Sequence, residues 1–238
     1  MTLPPAVLAL VHSLPQLTPP DWQALLLTLR VATLAVLGAL PVALLLGALL
    51  ASRFPGKFLI TAIVHLPLAL PPVVTGWLLL ILCGVEGPVG SYLYQRFGLR
   101  LAFTTLGAAI ACAVMVLPLM VRAIRQGLEN VDPGLRQAAR TLGAGPIDRF
   151  FSITLPLALP GVLLATVLGF TASLGEFGAV ITFAANIPGQ TQTLPLAIYS
   201  ALQSPNGEME AARLALCSIG LALFGLLLAE RMAARLRR

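Results

Sequence analysis

The side chains that could do chemistry are concentrated between Asp132 and Gly161, the longest polar interruption in an otherwise apolar chain. The ionisable residues of this stretch are Asp132, Arg136, Arg140, Asp148 and Arg149. They form neither a metal-ligand spacing nor a nucleophile with an adjacent base. The chemistry they offer is charge pairing and hydrogen bonding at a surface, so we predict that the stretch is a docking surface.

Two short helices are predicted within this stretch. Asp132 is a favourable N-cap residue and Pro133 suits the first helical position. One face then carries apolar residues at helical spacing, namely Leu135, Ala138, Ala139 and Leu142. Gly143 stands where a left-handed residue ends a helix, and a second helix with Ile147, Phe150 and Phe151 on its apolar side begins at Pro146. Helices this short need tertiary support, so they pack on the end of their own bundle or on a partner.

The composition is that of an integral membrane protein. The chain is 58% hydrophobic and 10% charged, with a mean hydropathy of +0.93, whereas soluble domains carry about 25% charged residues. We predict an all-α helical bundle that forms one domain over residues 1–238. The net charge of +6 does not indicate a nucleic-acid partner, because the basic residues cluster in short loops. Cys83, Cys112 and Cys217 lie in apolar runs, which argues against a disulfide framework or a metal cluster.

About five segments are long and apolar enough to span a membrane. Their expected ranges are about 25–51, 58–83, 104–124, 157–184 and 211–230, with the polar loop at 132–156. Residues 1–20 are apolar but broken by prolines, which favours an interfacial lead-in over a short sixth span. Residues 194–203 are predicted to form a short interfacial helix.

The distribution of Lys and Arg predicts the orientation. Arg53 and Lys57 follow the first span, the 132–156 region is rich in arginine, and further arginines follow the last span. The positive-inside rule then places the N-terminus outside, and the 132–156 loop and the C-terminus in the cytosol. Arg30 and Arg213 fall near the outer ends of spans, from which their side chains can snorkel.

The second span is interrupted by Pro67, Pro71 and Pro72, with Thr75 directly after them. Carbonyls freed by such a break are tolerated at membrane depth only inside protein or beside a watery cavity. These residues are therefore candidates for a translocation pathway or gate, and the alternative is a structural kink packed on a neighbouring helix.

The fourth span carries Ser173 and Glu176. A carboxylate within a span needs a partner or water, because burying it unpaired in lipid is costly. We expect Glu176 to belong to the pathway or gate through a pair with an arginine or with backbone N–H groups. The alternative is a solvated carboxylate near the outer interface.

Catalytic motifs are missing from the sequence. The chain's one lysine, Lys57, lacks the glycine-rich loop and the Ser or Thr of a Walker A motif. No nucleophile elbow or zinc-protease motif is present, and His12 and His65 are isolated. We predict no catalytic residue and no metal site, hence a transport subunit, with a membrane enzyme or an ATP-independent channel or scaffold as alternatives.

The spacing of the polar loop resembles the EAA loop of ABC-importer membrane subunits. Gln137-Ala138-Ala139, Gly143 and Ile153-Thr154-Leu155-Pro156 match its intervals, with Gln137 where the general pattern has Glu. The resemblance extends to HLPLALPPVVTGWLLL, PLMVRAIRQGLENVDPGLRQAARTLGAG and SLGEFGAVITFAANIPGQTQTLPLAIY. Together these runs are similar to molybdate ABC-transporter permeases, and sulfate permeases share the general layout.

The resemblance implies a MetI-like permease fold in a bacterial inner membrane and a homodimer that imports molybdate, or tungstate, with sulfate or another oxyanion as the alternative. It also implies two cytosolic ATPase subunits, which would hold ATP and Mg, and a periplasmic molybdate-binding protein. By this resemblance Gln137, Ala138, Ala139 and Gly143 lie at the ATPase interface. Ile153, Leu155 and Pro156 would set the angle between the docking helix and the fourth span.

Overall fold

The computed structural model describes residues 17–236, which form helices and no strand. The helices, in chain order, are α1 (Pro19–Ala51), α2 (Lys57–Ala69), α3 (Pro72–Cys83), α4 (Pro88–Phe97), α5 (Thr105–Glu129), α6 (Pro133–Thr141), α7 (Pro146–Arg149), α8 (Leu155–Leu174), α9 (Gly178–Ala184), α10 (Leu194–Leu202) and α11 (Glu208–Leu236). A single π-helical turn, Phe150–Thr154, joins α7 to α8. The short helix expected at 194–203 is present as α10. The expected lead-in at 1–20 lies almost wholly outside the described residues.

Within residues 17–236, four stretches are long and apolar enough to cross a membrane: Pro19–Ala51, Thr105–Glu129, Pro146–Leu174 and Glu208–Met232. The bent pair α2 and α3 makes a fifth if it is counted as one span. The predicted all-α bundle of about five spans is thereby confirmed.

Several helices end at other residues than the expected span limits. α1 begins at Pro19 rather than near residue 25, and the last helix extends beyond the range 211–230 at both ends. α5 continues beyond the expected limit near residue 124 to Glu129, so Arg122 and Arg125 both lie on the helix. The fourth span ends at Leu174, because Gly175 to Phe177 leave the helix before α9 begins.

The centre of the bundle is the packing of α5 against α1 and α8. Small residues allow the close approach. This is typical of helix contacts inside a membrane, where the hydrophobic effect does not drive helices together. Ala32, Ala43, Ala111 and Ala165 are fully buried there. A Cβ added at Gly127 of α5 would lie 2.9 Å from the Cα of Gly161 on α8, so these two backbones touch. We call the end of the bundle that carries α6 and α7 the loop end, and the opposite one the far end.

A buried ion pair joins the first and last helices at the far end. Arg213 Nη2 lies 2.7 Å from Asp21 Oδ2, and the two side chains are 14% and 1% exposed, respectively. The same carboxylate oxygen accepts a hydrogen bond from the N–H of Thr18. The expectation that Arg213 snorkels toward water was wrong, because the chain supplies a carboxylate within reach.

Asp21→Asn tests this pair, because asparagine can still accept the Thr18 hydrogen bond but carries no charge. Leaving Arg213 buried without its counter-ion costs about 3–5 kcal/mol in fully buried pairs, and its partial exposure places the expected loss toward the lower figure. We expect a clearly lower melting temperature of the detergent-purified protein. Arg30→Gln, at an exposed arginine of the same helix, is the control and should leave it unchanged. Equal melting temperatures for Asp21→Asn and the parent would show that the pair contributes nothing.

Candidate functional site

The polar loop folds as its sequence predicts. Asp132 Oδ1 accepts a hydrogen bond of 2.8 Å from the N–H of Gly134 and caps α6. Gly143 has φ +85°, the left-handed conformation that glycine adopts without a Cβ penalty. The N–H groups of Gly143 and Ala144 reach back to the carbonyls of Arg140 and Ala139, which closes the helix.

The second part of the loop runs without a break into α8. α7 starts at Pro146, and the π-helical turn follows it directly. Pro156, in the first turn of α8, has no N–H to donate and would crowd the preceding turn of a regular α-helix. A π-helical turn is a common way to absorb such a misfit. Residues 146–174 are thus one helical rod from the loop end into the bundle.

Most of the apolar side of the loop is left uncovered by its own chain. Leu142 is 87% exposed and Phe151 is 61% exposed, and Leu135 and Ile147 are also exposed. Of the four apolar residues expected on one face of α6, only Ala139 is buried. Phe150 packs in part against the bundle core. We call Leu135, Leu142, Ile147 and Phe151 the docking face. Of the two sequence-based alternatives, an unoccupied face favours the partner over a cap on the chain's own bundle.

The residues predicted to couple to an ATPase are spread over this loop. Gln137, Ala138, Gly143 and Pro156 are exposed, Ile153 and Leu155 are half-buried, and Ala139 is buried. Their role at an interface stays a prediction.

At the far end, the predicted break of the second span lies against a second interruption, at Gly175–Phe177, that the sequence did not predict. α2 and α3 meet at 111° across Leu70 and Pro71, and α3 packs along α9. A Cβ added at Gly178 would lie 2.7 Å from Cβ of Pro72, and one added at Gly76 would lie 2.6 Å from the carbonyl oxygen of Ala179. The break after α2 and the break after α8 therefore form one contact, which we call the paired break.

The polar residues of the paired break are mostly satisfied by backbone. Glu176 Oε1 accepts a 3.0 Å hydrogen bond from the N–H of Ala179 at the start of α9. Glu176 was expected to pair either with an arginine or with backbone N–H groups, and the structure shows the backbone pairing. Ser173 is buried and donates to the carbonyl of Gly169. Thr75 is buried, and its hydroxyl has no hydrogen-bond partner among residues 17–236.

Pro67 does not belong to the paired break, because it lies inside α2 and the chain bends only after Ala69. Sequence reasoning missed Gly76 and Gly178, whose missing side chains let α3 and α9 touch. The available signal was the presence of glycine beside prolines within apolar segments, since small residues mark helix contacts in membranes.

Three comparisons with known proteins bear on this architecture. Residues 39–238 match the family model described as the binding-protein-dependent transport system inner membrane component. The molybdenum transport system permease protein ModB of Escherichia coli K12 is 56% identical over 218 residues, which covers 91% of this chain and 95% of that protein. The sulfate transport system permease protein CysT of Salmonella typhimurium is 42% identical over 151 residues, which covers 63% of this chain and 54% of that one.

Among solved structures, the MetNI methionine ABC transporter in inward-facing conformations superimposes with a TM-score of 0.70. The match covers 93% of this chain and all of that chain at 18% identity. A likeness at this identity concerns the fold alone, and it agrees with the predicted MetI-like fold.

Gly76→Ala tests the close contact of the paired break. The added methyl group would force α3 away from α9, and overpacking of this kind costs about 1–3 kcal/mol. We expect a lower melting temperature of the purified protein. Gly38→Ala is the matched control, because nothing lies within 4 Å of its Cβ position and alanine is up to about 1 kcal/mol more favourable than glycine within a helix. The melting temperature should fall for Gly76→Ala and rise for Gly38→Ala. A higher melting temperature for Gly76→Ala would contradict the close packing.

Proposed function

The chain belongs to the family of binding-protein-dependent transport system inner membrane components, and from that premise we propose that it is the membrane-spanning permease of an ATP-driven molybdate importer. It belongs to a family of transport components rather than of enzymes. The docking face carries the proposal of an ATP-driven partner, because it is apolar, exposed and built on the EAA-type spacing. The proposed substrate rests on the similarity to the molybdenum permease over nearly the whole of both chains.

The proposed partners are a second copy of this chain, two ATPase subunits that carry ATP and Mg, and a periplasmic binding protein that delivers the oxyanion. Exposed apolar patches outside membrane spans mark protein contacts, and the docking face offers one per copy to an ATPase. The loop end then faces the cytosol, the far end faces the periplasm, and the C-terminus is cytosolic, in the orientation that the positive-inside rule predicts.

The geometry suggests how the two ends are coupled. The rod of residues 146–174 starts beside the docking face and ends directly before Glu176 at the paired break. Rigid elements transmit movement through packed contacts, and closure of the ATPase pair would move both rods as rigid bodies. The contact between Gly178 and Pro72 would carry that movement to α3, where the pathway opens or closes.

The first experiment identifies what copurifies with the tagged chain from mild-detergent membranes by mass spectrometry. A stoichiometric P-loop ATPase is expected, and its absence would favour an ATP-independent channel or scaffold. Uptake of molybdate and of sulfate is then measured in proteoliposomes that contain the complete transporter and its binding protein. Molybdate uptake that depends on ATP is expected, and uptake of sulfate alone would replace the proposed substrate.

Gly143→Val tests the coupling loop. Valine resists the left-handed conformation, which costs an ordinary residue roughly 1–2 kcal/mol, so the turn after α6 would change shape. We expect molybdate uptake to fall at least about tenfold at unchanged membrane insertion, since each 1.4 kcal/mol corresponds to a factor of ten.

Gly145→Val is the matched control for that variant. Both glycines have open space around the Cβ position, but Gly145 has φ −66° and ψ 164°, which valine adopts readily. It should transport normally. If Gly143→Val also transports normally at equal expression, the left-handed turn is not needed for coupling.

A further inference from the structure

Helix α5 carries a row of polar side chains near its loop end. Arg122, Gln126 and Asn130 follow one another at a spacing of four residues, the last being the C-cap, and all three are exposed. Residues four apart lie on the same side of a helix. We call these three residues the polar stripe.

The two arginines of this part of α5 are in different situations. Arg125 Nε donates to Glu129 Oε1 at 2.8 Å and forms an ion pair with it. Arg122 has neither an ion-pair partner nor a side-chain hydrogen bond within the described part of the chain. Its charge is therefore free to meet something outside this chain.

The polar stripe lines a groove between α5 and α8 with a volume of about 550 Å³. The α8 side of the groove is apolar and includes Leu157, Gly161 and Leu164. Its floor lies where Gly127 and Gly161 bring the two helix backbones into contact. The groove thus has one wall with a cation and two amides, and one wall without hydrogen-bonding side chains.

This face differs from most of the bundle surface. Many exposed positions of the spans are large apolar residues, for example Leu37 and Leu45 on α1 and Phe224 and Leu227 on α11. Arg30 of α1 is an exposed arginine too, but no asparagine or glutamine lies four residues from it on the helix. Arg122 lies about 10 Å before the end of α5, since each helical residue rises about 1.5 Å. A charged residue at that depth faces protein or water rather than lipid tails. The polar stripe therefore marks a face that is turned toward a water-filled space.

We propose that the polar stripe is an anion-binding segment at the cytosolic mouth of the translocation path, with Arg122 as its cationic contact for a tetrahedral oxyanion. The proposal rests on the proposed function, because the orientation and the substrate class come from it. The guanidinium donates a forked pair of hydrogen bonds that suits oxyanions, and the amides of Gln126 and Asn130 add neutral donors.

Symmetry strengthens this assignment. A two-fold homodimer presents every surface patch twice around its axis, so a central path would carry two polar stripes. Two guanidinium groups across a path repel each other unless an anion or water separates them, and a dianion matches their combined charge. The site is also exposed rather than enclosed, as a conducting segment must be if the ion is to leave it.

The test uses the complete transporter in proteoliposomes with its ATPase and binding protein. Molybdate uptake and ATP hydrolysis are measured together for Arg122→Gln, Arg122→Lys and Arg125→Gln. Because hydrogen bonds to charged groups are stronger than neutral ones, uptake by Arg122→Gln should fall at least about tenfold while ATP hydrolysis changes less than about twofold. Arg122→Lys should retain much of the uptake because it keeps the charge. Arg125→Gln, which alters the neighbouring paired arginine, should resemble the parent.

The same assay in liposomes with and without anionic lipids separates the two possible sources of the anion. A parent protein that keeps its uptake in neutral lipid supports an oxyanion in the path. A parent whose uptake in neutral lipid drops to that of Arg122→Gln shows that Arg122 binds lipid headgroups, and this overturns the inference. Parent-like uptake by Arg122→Gln, or equal losses of uptake and ATP hydrolysis, overturns it as well.

Failure of the proposed function gives a different result. If the parent hydrolyses ATP but carries sulfate rather than molybdate, the proposed substrate is wrong, and the same variants are compared with sulfate. A sulfate defect confined to Arg122→Gln then still supports the anion-binding segment. A parent that carries neither oxyanion overturns both proposals.

Discussion

The constraint on which this structure depends is that backbone N–H and C=O groups within a membrane must be satisfied by protein or enclosed water. The chain leaves the regular helical pattern within the bundle at Leu70–Pro71 and at Gly175–Phe177. The two interruptions pack against each other, with Gly76 and Gly178 permitting the contact. Glu176 supplies an acceptor for the free N–H of Ala179 at the start of α9. The second break is thus satisfied locally and enclosed by protein.

The loop end and the paired break are connected through one continuous helical stretch, and this has a physical cause in the sequence. Pro156 would ordinarily end or kink a helix, but the π-helical turn at Phe150–Thr154 accommodates it. The N–H of Leu155 still reaches the carbonyl of Phe150, so the rod is not severed. A flexible hinge at this place would not transmit a movement of the loop end to the paired break, whereas a continuous helix moves as one rigid element.

Local features could be predicted from the sequence because their causes are local. The cap at Asp132, the left-handed Gly143 and the start of α7 at Pro146 each follow from one residue type at one position, and the structure has all three. The break at Pro71 follows in the same way. Contacts between distant segments could not be predicted, since no pattern in the sequence pairs Asp21 with Arg213 or Gly178 with Pro72. Composition sets the expected limit of the third span near residue 124, whereas α5 continues to Glu129, because helical hydrogen bonds do not require apolar side chains.

The different environments of the two arginines on α5 also bear on where selectivity arises. Arg125 is paired with Glu129 within its own helix, so its charge is largely neutralised there. Arg122 has no partner within the described part of the chain, and it lines a groove of about 550 Å³. A guanidinium contacts oxygen atoms of molybdate and sulfate alike. Under the proposed function, the contact at Arg122 accounts for selection by charge, and we propose that the choice between oxyanions belongs to the binding protein.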